Sequence, residues 1–358
     1  MTHIERKHFE VLDGLRGMAA LAVVVFHFAE IIAPDSSHNF IGHGFLAVDF
    51  FFCLSGFVIA YAYDDRIASL GPREFFQSRL IRLHPLVVFG TVLGLLGFFS
   101  QPQIGPPQSI DGLRIAEIFL CSLLMIPFPV MASRFFNNFS LNAPAWSLFW
   151  EYIANLFYAL VLRRISRRYL AVLIGLSAAA IVWVICKEGS LLGGWSGGTF
   201  WDGLVRVSYS FLAGMLIYRL KWIVTNRLGF SPLAVGLLLA FLVPFGKWNI
   251  LSESLIVLLY FPLLIALGAG TAPAPWVRKF CGFSGKISYP LYMTHYWVMW
   301  MFGEYWNRHH PVGARLFGIV LGTLASQLIL AYGVMVLYDI PVRRALSRQS
   351  RMPLTPAK

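Results

Sequence analysis

The sequence predicts an all-α protein that crosses a membrane about ten times, with one further apolar segment that is re-entrant or interfacial. Three observations predict it. Of 358 residues, 58% are hydrophobic and only 13% charged, against about half and a quarter in a soluble domain. Apolar runs recur from end to end, with a mean hydropathy of +0.67. The runs are continuous rather than alternating, which argues against a β-barrel.

The expected spans are 14–33, 45–63, 85–99, 145–162, 170–186, 203–220, 232–245, 253–269, 287–302 and 313–337. Several fall short of the roughly 20 residues a membrane helix needs. The first run has no small-residue cleavage pattern and more spans follow it, so it reads as a retained helix, not a signal peptide. The third, 85–99, is expected to start at Pro85, since proline suits a helix beginning. Segment 113–131 opens with charged residues and is cut by Pro127 and Pro129.

Basic residues decide between topologies. With a cytoplasmic N-terminus and 113–131 not crossing, the inward segments hold most of the 29 Lys and Arg residues. If 113–131 crosses, the RRISRR run at 163–168 faces outward, against the positive-inside rule. The expectation is therefore ten spans with both termini cytoplasmic. The net charge of +12 then reflects topology, not nucleic-acid binding. Residues 10–345 form one expected membrane domain, and 346–358 a basic cytoplasmic tail. Cys53, Cys121, Cys186 and Cys281 lie far apart, with neither metal spacing nor a disulfide framework.

Ionisable residues inside spans are costly and mark sites or pathways. Four are expected at one depth, roughly 6–11 Å below the outer face at 1.5 Å per residue: His27, Asp49, Glu151 and His295. Arg16 and His27 are eleven residues apart, about three turns, so they share a helix face roughly 16 Å apart along the axis. Asp13 and Arg16 are placed to pair at i, i+3. Each of the four also has a structural reading: packing for the histidines, stabilisation of the second span for Asp49, pairing with Arg114 or Arg134 for Glu151.

The loop SRLIRLHPL places Arg79 and Arg82 at a cytoplasmic mouth. They serve either to enforce topology or to bind a phosphate-bearing ligand. Gly14, Gly17 and Gly56 suit close helix packing. In SGKISYPLYMTH, Tyr292 stands three residues before His295, where it can orient it, and Pro290 kinks or starts the helix.

LDGLRGMAALAVVVFHF, AVDFFFCLSGFVI, RLIRLHP, WSLFWE and GKISYPLYMTH, in this order, resemble membrane acyltransferase family 3, which includes O-acetyltransferases of bacterial surface polysaccharides. The resemblance covers about residues 10–345. It implies transfer of an acyl group, usually acetyl, from cytoplasmic acyl-coenzyme A to a glycan or lipid-linked glycan hydroxyl presented outside a bacterial inner membrane. It matches the family's early histidine to His27 and the arginine before it to Arg16. The loop arginines match Arg79 and Arg82, the Trp…Glu element Trp146 and Glu151. The late element matches Ser288, Tyr289, Tyr292 and His295, and the acidic-X-Pro element Asp339–Pro341. Larger relatives add a hydrolase-like domain, and no GDS-like block occurs in these 358 residues. The expectation is that the membrane core or a partner completes the transfer.

The expected catalytic set is His27, Glu151, His295 and Tyr292 from the resemblance, with Asp49 added from its depth in the second span. His27 is the expected base, oriented by Asp49 or Glu151, with His295 or Tyr292 donating to the oxyanion. Arg16, Arg79, Arg82, Ser288 and Tyr289 form the implied acyl-coenzyme A site, with no metal. The competing readings are acylation of a small hydrophobic metabolite, a proton-coupled transporter and a non-catalytic lipid receptor.

Overall fold

The computed structural model describes residues 8–66, 71–100 and 110–349. Their helices are α1 (Glu10–Ile32), α2 (Ala47–Tyr63), α3 (Pro72–Ser100), α4 (Gly112–Leu123), α5 (Ala145–Leu160), α6 (Arg167–Glu188), α7 (Phe200–Arg219), α8 (Phe230–Phe241), α9 (Asn249–Gly270), α10 (Pro275–His309) and α11 (Gly313–Gln349). Both α9 and α11 contain a π-helical turn, at Ile256–Tyr260 and Met335–Asp339. The expected tail from residue 350 lies outside the described residues.

The chain is an all-α, multi-pass membrane protein, but the count of ten spans is not supported. Six helices among the described residues are long and apolar enough to cross: α1, α2 with its preceding turn, α3, α6, α9 and α11. The shortfall has two causes. Helices α5 and α8 have 16 and 12 residues. Helices α7 and α10 interleave their apolar residues with Asp, Arg, Tyr, Trp and His. Within 113–131 only α4 is helical, and its 12 residues reach roughly 18 Å, too short to span.

Pro85 does not start a helix. It lies inside α3, which begins thirteen residues earlier at Pro72, and Pro290 likewise lies inside α10. Tyr289 Oη donates to the Leu83 carbonyl (2.7 Å), tying α10 to the proline-bearing stretch of α3.

Two close helix contacts fix the frame. Helix α1 lies along α10, where a Cβ on Gly17 would stand 2.5 Å from the Ser284 Cβ. Helix α2 lies on α7 through a reciprocal pair: a Cβ on Gly56 would meet the Phe211 carbonyl oxygen at 2.0 Å, and one on Gly214 the Cys53 carbonyl oxygen at 1.9 Å. Glycine is required there by backbone approach. Phe26, Phe50, Phe57 and Phe211 fill the interior. Helices α6 and α11 expose Leu176, Trp183, Phe317 and Leu321, which suits lipid-facing walls.

Candidate active site

Helices α1 and α10 bring His27 and His295 together. Their rings stack, with centroids 5.3 Å apart and planes 23° from parallel. His27 Nδ1 lies 3.0 Å from Glu30 Oε2, three residues on along the same helix. His295 Nδ1–H donates to the Tyr292 carbonyl at 2.7 Å. Because a carbonyl only accepts, that bond sets the tautomer, and the neutral ring carries its lone pair on Nε2. This Nε2 is buried and has no protein partner. His295 is 1% exposed, while the His27 side chain is 23% exposed, so His27 is the member a substrate can reach. Tyr296 packs edge-on to both rings.

Tyr292 orients His295, but through its backbone. Its hydroxyl shares a 2.8 Å hydrogen bond with Ser147 on α5. The expected oxyanion donors therefore meet a geometric objection: one hydroxyl is engaged, and the neutral His295 presents an acceptor.

The other two members of the expected layer lie apart from the histidine pair. Asp49 receives the Arg206 guanidinium, with Nη2 2.6 Å from Oδ2 and Nε 3.2 Å from both carboxylate oxygens. Arg206 also donates to the Gly193 and Phe45 carbonyls and lies over the Trp146 ring at 5.1 Å. Both partners are essentially inaccessible. Asp49 thus joins α2 to α7 and does not orient His27. Glu151 takes the Ser55 hydroxyl in a short hydrogen bond and pairs with Arg79 at 3.4 Å. It is not the partner of Arg114 or Arg134, nor of His27.

The same contacts revise the arginine site. Arg79 is committed to Glu151. Arg16 pairs with Asp13 at 2.9 Å, as its spacing predicts, and also donates to Ser288 Oγ (3.0 Å) and the Gly285 carbonyl (2.6 Å). Ser288 therefore holds Arg16, and Tyr289 holds α3. Arg82 keeps an exposed side chain amid the charges of Arg16, Arg79 and Arg343. Asp339, of the acidic-X-Pro element, is buried and pairs with Arg343 at 3.1 Å. Among the described residues no group of three His, Cys, Asp or Glu is arranged to hold a metal ion.

Sequence reasoning missed Glu30, although its i, i+3 spacing to His27 was readable. It missed Arg206, which stands inside an expected span and met the rule for intramembrane charge. Ser55, Ser147 and Tyr296 carry no local signal.

The family model described as an acyltransferase domain matches residues 9–331. The chain belongs to this acyltransferase family. "Protein 2 in picA locus" of Rhizobium radiobacter is 32% identical over 191 residues, covering 51% of this acyltransferase and 97% of that protein. The peptidoglycan O-acetyltransferase OatA of Listeria monocytogenes is 28% identical over 196 residues, covering 51% of this chain and 30% of its own. The O-acetyltransferase OatA of Staphylococcus aureus is 24% identical over 353 residues, covering 88% of this chain and 55% of its own. The acyltransferase thus spans about half or less of those O-acetyltransferases. No solved structure is significantly similar to it.

Proposed function

We propose that this membrane acyltransferase is an O-acyltransferase that moves acetyl from acetyl-coenzyme A to a hydroxyl of a surface glycan or lipid-linked sugar. The observation that carries this reading is His27, a reachable imidazole held by Glu30 on one side and stacked on His295 on the other. With Nδ1–H on the Glu30 carboxylate, His27 Nε2 keeps a lone pair for an acceptor hydroxyl. The proton passes to Nε2 as the hydroxyl oxygen attacks the thioester carbonyl. The carbon–sulfur bond breaks, and the leaving thiolate takes the proton back from the imidazolium. Glu30 orients the base, and His295 sets the plane of its ring.

Arg82 and the partly exposed Arg16 are the groups best placed for the donor's phosphates, since Arg79 is consumed by Glu151. Arg16 and His27 lie on one face of α1, so a pantetheine arm running along that face links the two. In this reading the arginines face the cytoplasm of a bacterium, the histidines sit toward the outer side of its inner membrane, and both termini are cytoplasmic. The acetyl group and glycan class follow from the similarity to a peptidoglycan O-acetyltransferase and an O-acetyltransferase.

The test uses purified protein, labelled acetyl-coenzyme A and a panel of acceptor sugars, with the acylated product identified by mass. His27→Ala is expected to lose about 10²–10⁴-fold in turnover while remaining in the membrane fraction. Unchanged turnover in that variant overturns the assignment of the base.

A further inference from the structure

Two aromatic rings away from the histidine pair lies a buried cation that the transfer chemistry leaves unused. Arg134 is 5% exposed. It sits in the turn Ala132–Arg134, between α4 and α5. Its guanidinium stacks on the Trp300 ring at 4.0 Å. Its Nε–H is buried without a hydrogen-bond partner, and so is the Trp300 Nε1–H. Trp300 packs on Tyr296 with centroids 5.7 Å apart, and Tyr296 in turn packs on His27 and His295. Glu30, the carboxylate of this cluster, is paired with His27. Among the described residues no carboxylate forms an ion pair with Arg134.

A buried charge without a counter-ion is unfavourable, and stacking on one indole offsets only part of that cost. The local backbone is arranged to keep it inside. Phe135 and Phe136, the next two residues, both take left-handed conformations (φ +55° and +52°), strained for bulky side chains. Both point outward and are exposed, while Arg134 turns in. Asn138 N–H on the Trp195 carbonyl (2.9 Å) and Gly197 N–H on the Phe136 carbonyl (3.0 Å) pin the turn. Burial lowers the Arg134 pKa to about 10, so the group is still charged at neutral pH.

We infer that Arg134 and the Trp300 indole N–H form an acceptor subsite that binds an anionic oxygen group, a carboxylate or a phosphate, on the molecule to be acylated. Two orphaned groups that only donate call for a ligand that only accepts. Tyr296, packed on Trp300 on one side and on both histidines on the other, connects this subsite to the histidine pair, so an acceptor that spans the tyrosine brings its hydroxyl to His27. The inference rests on the acyltransfer reading for its meaning, but not for its test.

The test is binding of simple probes, without donor, to the full chain in detergent: glucose, glucuronate and glucose 1-phosphate, followed by calorimetry. Wild type is expected to bind at least one of the two anions about 10- to 100-fold more tightly than glucose, the usual worth of a charge-assisted hydrogen bond. Preference for glucuronate assigns a carboxylate, and preference for glucose 1-phosphate a phosphate. Arg134→Gln is expected to abolish the preference and Arg134→Lys to keep part of it. Trp300→Phe, which keeps an aromatic ring under the guanidinium and removes the N–H, is expected to weaken it; it stands in if Arg134→Gln fails to fold. Equal binding of sugar and anions by wild type, no detectable anion binding up to about 10 mM, a preference that survives Arg134→Gln, or, in its place, a preference undiminished by Trp300→Phe, overturns the inference. Because binding is read without turnover, a failure here leaves the His27 result standing, and the reverse.

Discussion

A carboxylate with no exposed surface is tolerated at Asp49 because a guanidinium closes on it from α7 and the Gly193 and Phe45 carbonyls accept two further N–H groups of that arginine. Removing one partner leaves the other buried and uncompensated, at about 3–5 kcal/mol. Asp49→Ala is therefore expected to lower thermal stability in detergent strongly, and Asp49→Ala with Arg206→Met to recover much of the loss. A single variant that keeps wild-type stability but lacks turnover would return Asp49 to the catalytic set. His8 offers a milder case at the membrane edge. Its Nε2 lies 3.0 Å from Asp13, and that hydrogen bond raises the histidine's pKa above its ordinary value, against the opposing effect of burial. The contact should be fully stabilising below about pH 6.5, the unfolded value, and fade as pH rises through the raised folded value. His8→Gln is expected to lower the melting temperature at pH 6 and not at pH 9, by an amount within the 0–1 kcal/mol of a partly exposed pair.

Among the helix–helix contacts, α2 on α7 tolerates little change. Gly56 and Gly214 each face a carbonyl oxygen at about half the distance a methyl group needs, and a backbone atom cannot swing aside as a side chain can. Gly56→Ala or Gly214→Ala is expected to cost at least the upper end of the roughly 1–3 kcal/mol of overpacking, read as loss of the monodisperse peak on size exclusion. Gly318 and Gly322 on α11 have open space where a Cβ would go, so alanine there is expected to leave the peak intact. The same contact aligns Asp49 with Arg206, while Ser55, the residue before Gly56, reaches Glu151 on α5. Gly17 does comparable service for α1 on α10, letting the two histidines meet.

At the scale of the whole molecule, the arginines and histidines occupy opposite ends of one bundle. Helix α2 supplies the reference: Asp65 follows its last turn, while His43, before its first, hydrogen-bonds the Val243 carbonyl at 2.8 Å. Cysteines placed singly at the exposed Asp65 and Lys247 of a cysteine-free background are therefore expected to react with a membrane-impermeant maleimide from opposite sides. Labelling of both from the same side would contradict a crossing by α2.

Continuous apolar runs are enough to read the membrane class from the chain, and five ordered motifs are enough to read the family. Contacts that stay on one helix were also legible: Asp13 with Arg16, and the shared face of Arg16 and His27, because 3.6 residues per turn fix such neighbours locally. The number of crossing helices was less legible, since short or aromatic-rich segments such as α5 and α10 blur the length and apolarity that define a span. The partners of buried charges were decided only by tertiary structure. Asp49 and Arg206 are 157 residues apart, Arg79 and Glu151 72 apart, and His27 meets His295 across two helices. An intramembrane charge advertises its cost in the sequence, but the group that offsets it is chosen by which helices pack together.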